Sequence, residues 1–140
     1  MKDNCPLKNI TAASSSNANL FVYMCKDKQE WGTVGLAWVG TLCGPDTWKG
    51  WKVSISEKRE SILATAEVVA HEMGHNMGMS HDFDDKHGGS DGPCDGKGLM
   101  SYKDKDYPKE WSSCSKSDYL ARYNKVGGKN WCMPGKSEGL

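Results

Sequence analysis

The residues with the greatest chemical potential lie in one run, His71-Glu72-Met73-Gly74-His75-Asn76-Met77-Gly78-Met79-Ser80-His81. As a pattern this is H-E-x-x-H-x-x-G-x-x-H, and it holds three of the four histidines in the chain. On a helix, His71 and His75 stand one turn apart, about 6 Å along the axis, so both imidazoles can meet one metal ion. Glu72 is offset in angle, and its carboxylate would reach a metal-bound water rather than the metal. Gly78 can adopt positive φ without steric cost, which lets the chain turn back and bring His81 up as a third ligand. Three neutral imidazoles with an open fourth position describe a catalytic zinc site, since structural zinc sites close that position with Cys or His. The chemistry expected is metal-assisted peptide hydrolysis. Zinc acidifies its bound water, Glu72 accepts the proton, and the same carboxylate delivers it to the leaving amine. No nucleophilic serine or cysteine is needed.

These side chains need a helix and a reversal to position them. Ile62, Ala66, Val69, Met73 and Met77 recur at spacings of three and four, which predicts a helix with one apolar face. Ser56 or Ser61 is placed to cap its start, and Gly78 to stop it. Upstream, 20–24, 32–40 and 51–56 read as strands. The second carries its own glycines, which mark close approach of another backbone, and the third alternates as a half-exposed strand does. Residues 1–19 are polar and irregular. Downstream, Asp82 to Gly98 is a loop dense in Asp and Gly, and Ser115 to Val126 reads as a second helix with Leu120 and Tyr123 facing inward. Without repeat or linker, 1–140 is expected to be one domain. In it, 20–80 supplies sheet and active-site helix, and 81–140 forms a lower subdomain.

Composition narrows the function further. The 140 residues carry 18 basic and 18 acidic side chains, with no basic block for nucleic acid or an anionic membrane. No apolar run approaches the roughly 20 residues that span a bilayer. Six isolated cysteines at 5, 25, 43, 94, 114 and 132 read as three disulfides made in an oxidising compartment, and their spacing does not choose the pairing. Asn9-Ile10-Thr11 is a glycosylation sequon compatible with secretion. The expected location is therefore secreted, or the ectodomain of a larger protein, and the expected state a monomer. Asp82, Asp84, Asp85, Asp91 and Asp95 could hold calcium, but their spacing does not fit an EF-hand, and a solvated acidic loop is the favoured reading. His87, in the same loop, is read as solvated.

With these motifs the chain resembles the metzincins of the reprolysin, or adamalysin, type: the ADAM-like and snake-venom metalloproteases. Asp82 after the third histidine is the reprolysin form. Gly32-Thr33-Val34-Gly35-Leu36-Ala37-Trp38-Val39-Gly40 resembles the family's edge strand, which implies that Gly35, Leu36 and Ala37 pair with extended substrate. Leu99-Met100-Ser101-Tyr102 looks like the Met-turn, placing Met100 beneath the zinc ligands, and Trp111-Ser112-Ser113-Cys114-Ser115 resembles the opening of the C-terminal helix. The resemblance implies an α/β (α+β), zincin-like fold. In it, a small twisted sheet with an edge strand lies over the zinc-binding helix, above an irregular, disulfide-tied lower subdomain. It also implies Cys43–Cys132 and Cys94–Cys114 bridges, with Cys5–Cys25 the pair that remains. By the same resemblance Lys103 to Lys109 forms a wall of the S1′ pocket, the substrates are polypeptides, and an inhibitory prodomain or protein inhibitor is a natural partner. Two features depart from the type. The segment before the edge strand is short, so the chain reads as N-terminally truncated, with Met1 belonging to an expressed fragment. Met100-x-Tyr102 resembles astacins and serralysins instead, where such a Tyr is an extra zinc ligand, so Tyr102 is either a further ligand or a rim aromatic. Truncation motivates the alternative function, a catalytically weak or inactive binding or toxin module on the same scaffold.

Overall fold

A computed structural model describes residues 21–25, 34–44, 51–102 and 110–126. The elements are β1 (Phe21–Cys25), β2 (Gly35–Ala37), β3 (Val53–Glu57), α1 (Ile62–Asn76), 3-10 turns at Asp85–His87 and Gly89–Asp91, and α2 (Ser113–Val126). The strands form one sheet in the order β1-β3-β2. β1 runs parallel to β3, with Tyr23 opposite Ile55, and β2 runs antiparallel to it, with Leu36 opposite Ile55. β2 is thus an outer strand of the described sheet. Cys5, Asn9, Cys132 and the 103–109 segment lie outside the described residues.

α1 packs on β3 and β2, and its ends explain its length. Ser61 caps the start, its hydroxyl accepting from the Ala64 N–H at 3.0 Å. At the other end, Met79 N–H donates to Gly74 O at 3.0 Å and Gly78 N–H to His75 O at 2.9 Å, with Gly78 at φ +100°. That pair of bonds is a Schellman motif, and it needs a residue tolerant of positive φ at this position. The loop after β2 adds two further bonds to this end: Gly40 N–H donates to His75 O at 2.7 Å, as a second donor to that carbonyl, and Leu42 N–H to Asn76 O at 2.9 Å. Asn76, fully buried, donates through Nδ2 to Trp38 O, Thr41 Oγ1 and Val53 O. One amide thereby joins α1, β3 and the loop. Replacing Ser61 with Ala is expected to lower stability by about 1 kcal/mol, measured by denaturant unfolding, because an orphan helix N–H loses its acceptor.

Several expectations about burial are corrected. The apolar stripe of α1 is not the face that the described residues cover. Ile62 is 88% exposed, and with Ala66, Val69 and Met73 it lines an open groove of about 620 Å³. The buried α1 residues are His71, Glu72, Gly74, His75 and Asn76. Polar groups go inside here because they face the Met-turn and the loop after β2, which supply their partners. In β3 the alternation is likewise inverted: Ser54 and Ser56 are fully buried and Ile55 half-buried. Side chains as small as serine allow close packing where three elements meet. Among the described residues the second strand spans Gly35–Ala37, with Val34 O also accepting from the Glu57 N–H at 2.7 Å, and the chain then turns at Val39 and Gly40 to reach the end of α1. α2 begins at Ser113, two residues earlier than expected, and Leu120 is exposed. Ser115, Asp118 and Arg122 are among the residues through which it holds the rest of the fold.

Candidate active site

Helix geometry fixes His71 and His75, and the turn at Gly78 returns the chain so that His81 joins them. One ring nitrogen from each of the three lies within 4.8 Å of the others, a group that could hold a metal ion. The outer nitrogens of the two helix histidines are occupied: His71 Nδ1 lies 2.6 Å from Leu99 O and His75 Nδ1 lies 2.9 Å from Met79 O. Acceptors there place the ring proton on Nδ1 and leave the Nε2 lone pairs to face the site. His81 Nδ1 lies 3.6 Å from Asp84 Oδ1, beyond hydrogen-bond reach. His75 Nε2 and His81 Nε2 are 3.1 Å apart, and His71 Nε2 is buried with no hydrogen-bond partner among the described residues. Converging lone pairs repel in the absence of a cation and bind one when it is present, so the donor set fits a zinc ion. Burial, only partly offset by the Leu99 hydrogen bond, lowers the His71 pKa to about 4, and burial lowers that of His75 as well. Both rings are therefore neutral near pH 7, the form that ligates metal.

Glu72 is 5% exposed, and burial raises its carboxyl from 4.5 to about 7. A carboxyl near neutrality is matched to accepting and returning a proton. It lies against β2 at Gly35, where any Cβ would overlap the Glu72 carboxylate. The strand glycine thus makes room for this side chain. Leu36 stands outward, 54% exposed, at the strand's centre.

Met100 is fully buried beneath α1. A Cβ at Gly74 would come within 2.6 Å of Met100 Sδ and 2.9 Å of Trp111 Cζ3, so Gly74 lets the turn pack against the helix. Tyr102 lies at the rim of the histidine cluster. Its residue is 66% exposed, its ring stacks on His71 at 5.3 Å, and its hydroxyl donates to His81 Nε2 at 2.8 Å. Burial of the hydroxyl, aided by the charges of Glu72 and Asp84, raises its pKa and keeps the phenol protonated.

Asp82 belongs to no solvated loop. It is fully buried, and Ser112, Ser115 and Ser101 all donate to its carboxylate, while its own N–H donates to Met100 O at 3.0 Å. Those oxygens are engaged by hydroxyls rather than arranged around calcium, and among the described residues the metal-competent group is the histidine cluster. His87 is corrected too. Its side chain is only 7% exposed, with Nδ1 2.8 Å from His81 O and Nε2 3.3 Å from Asp118 Oδ2. Burial opposes ionisation of Asp118, but hydrogen bonds from Lys86, Ser80 and His87 outweigh it and hold the carboxyl below its usual range. Sequence reasoning also missed Phe83, which stacks on His81 at 4.7 Å, and Asn76. The position of Phe83, two residues past a ligand, was the one available signal. Cys94 and Cys114 form a disulfide between the acidic loop and the start of α2. Cys43 is also disulfide-bonded.

Comparison with known proteins places these observations in a wider set. A family model described as the reprolysin-like M12B metallopeptidases matches residues 3–124. Human disintegrin and metalloproteinase domain-containing protein 9 is 36% identical over 88 residues, 63% of this chain and 10% of its own length. Zinc metalloproteinase-disintegrin-like atrase-A of Naja atra is 44% identical over 94 residues, covering 64% of this chain and 14% of that protein. Human disintegrin and metalloproteinase with thrombospondin motifs 10 is 38% identical over 93 residues, 66% and 8% respectively. The chain thus spans a small fraction of the curated relatives it matches.

Proposed function

Because the chain belongs to the reprolysin-like M12B metallopeptidases, we propose that it is a zinc endopeptidase acting on polypeptides. The observation that carries this reading is the convergence of three Nε2 atoms beside a buried glutamate whose carboxyl sits near neutrality. In it, His71, His75 and His81 hold one zinc, and Glu72 is the general base. Zinc held there supplies the Lewis acidity that polarises a peptide carbonyl and makes water a competent nucleophile at neutral pH. A Glu72 Oε accepts the proton of the attacking water and passes it to the departing amide nitrogen. Gly35, Leu36 and Ala37 orient the substrate, an extended peptide adding to β2 as a further strand. Tyr102, protonated, offers its hydroxyl at the same opening. Gly78 and Met100 act structurally, one turning the chain toward His81 and the other supporting the helix from below.

The remaining roles follow the same reading. The chain is taken as one catalytic domain, acting as a monomer in an extracellular setting. The disulfide supports that location, and no helix among the described residues is long and apolar enough to cross a membrane. A prodomain or protein inhibitor would occupy the same cleft as substrate. The competing reading, a binding module with weak or no turnover, draws on exposed Leu36, Trp38, Val39 and Trp51 beside β2. One assay separates them. Turnover of casein or a quenched peptide, abolished by chelator and restored by zinc, is the expected result, with about one zinc per chain by elemental analysis. Tight peptide binding without turnover would favour the module.

A further inference from the structure

His71 and His75 are held by helix geometry and by short contacts from Nδ1 to carbonyls. His81 has neither. It lies beyond α1, and its Nδ1 has only the 3.6 Å contact with Asp84 Oδ1, too long for a hydrogen bond. Its ring meets Phe83 and Tyr102, and the backbone that carries it is held separately. Asp84 supplies local bonds, its Oδ2 accepting from the His81 N–H at 3.1 Å and its N–H donating to His81 O at 3.1 Å. Those bonds shape the turn without placing it in the molecule. Two carboxylates do connect it to α2: Asp82, through Ser112 and Ser115 at the helix start, and Asp118, about a turn further along. Asp118 Oδ2 receives the Ser80 N–H at 3.0 Å and Lys86 Nζ at 2.7 Å, and it faces His87 Nε2 at 3.3 Å. His87 in turn contacts the His81 carbonyl through Nδ1 at 2.8 Å. The Met79–Ser80 peptide, one residue ahead of His81, and through His87 the His81 carbonyl are thereby tied to one carboxylate.

We propose that Asp118 and His87 form a brace on α2 that positions His81 for metal binding. Both are positioning residues, acting through the backbone of a ligand rather than on substrate. This rests on the three-imidazole reading of the site. Outer partners of ligands that fix orientation typically change metal affinity by roughly ten- to a hundredfold when removed. An effect of that size is expected here for Asp118→Ala, and a smaller one for His87→Ala, which leaves the Ser80 and Lys86 bonds intact.

The test measures zinc affinity of the whole chain by chelator competition, together with the ligand-field spectrum of the cobalt-substituted protein. Unfolding of the metal-free form of each variant is followed in parallel. Asp118→Ala is expected to weaken zinc binding by about tenfold or more and to shift the cobalt bands while metal-free unfolding stays cooperative. Asp118→Asn, which keeps one acceptor oxygen for Ser80, should recover part of the loss. In a His81→Ala background, Asp118→Ala should cause no additional loss, because its route to the metal is gone. Zinc affinity unchanged in Asp118→Ala, or a full further loss in the His81→Ala background, would overturn the brace while leaving the ligand assignment intact. Unchanged zinc affinity in His81→Ala itself would overturn the ligand assignment and the brace with it. Should Asp118→Ala fail to fold, Asp118→Asn and His87→Ala carry the same comparison.

Discussion

Glu72→Gln is expected to retain about one zinc per chain and to lose peptide cleavage by roughly a hundredfold to ten-thousandfold, the range for a positioned general base. The substitution is nearly isosteric, so the packing of this side chain against Gly35 survives, and His71 and His75 keep their Nδ1 partners. What disappears is a group able to take a proton at one instant and return it at the next. Burial by itself raises the carboxyl to about 7, and a zinc ion beside it would favour the ionised, proton-accepting form. Peptide turnover and zinc content measured on the same preparation decide the matter. Cleavage at the parental rate in a zinc-loaded variant would falsify the role of Glu72, and loss of zinc would move it from base to site architecture.

The second large effect is on stability. Asp82→Ala is expected to cost about 3 kcal/mol or more, read as a shift in the denaturant midpoint with little change in slope. The carboxylate is fully buried and collects the hydroxyls of Ser101, Ser112 and Ser115. Removing it leaves those hydroxyls without an acceptor in a place water cannot easily reach, which is more costly than the loss of an exposed interaction. It also removes one junction of three pieces: the loop after His81, the Met-turn and the start of α2. Asp82→Asn should cost less, since one oxygen can still accept. A surface-like loss of a few tenths of a kcal/mol for Asp82→Ala would mean that these hydroxyls find other partners.

Much of the candidate site was legible because its information is local. The i and i+4 histidines, the glutamate beside the first and the Gly78 reversal all lie within eleven residues, and a helix with a Schellman end converts that spacing directly into geometry. Ser61 was legible for the same reason, as a cap acts on its own first turn. Burial was less legible. An apolar period in α1 predicts an inward face, yet Ile62 stands in solvent while His71, Glu72, His75 and Asn76 are inside. A period says which residues share a face, whereas partners elsewhere in the chain decide which face is covered. Leu120 on α2 and the serines of β3 follow the same rule. The acidic loop misled through composition: Asp82 resembles its exposed neighbours in the sequence, but only Asp82 meets three buried hydroxyls.

The sequence by itself determined the histidine cluster that could hold a metal, the family, and the local devices that begin and end α1, since each is carried by motifs of residues a few positions apart. Tertiary structure alone decided how the imidazoles are oriented and what fixes them. The Nδ1 partner of His71 is a carbonyl 28 residues away, the acceptor for the Ser80 N–H is 38 residues away, and the hydroxyls on Asp82 come from up to 33 residues away. No spacing in a chain encodes such a meeting. It exists because the Met-turn, the loop beyond His81 and α2 bury their polar groups against one another, and buried donors and acceptors must pair.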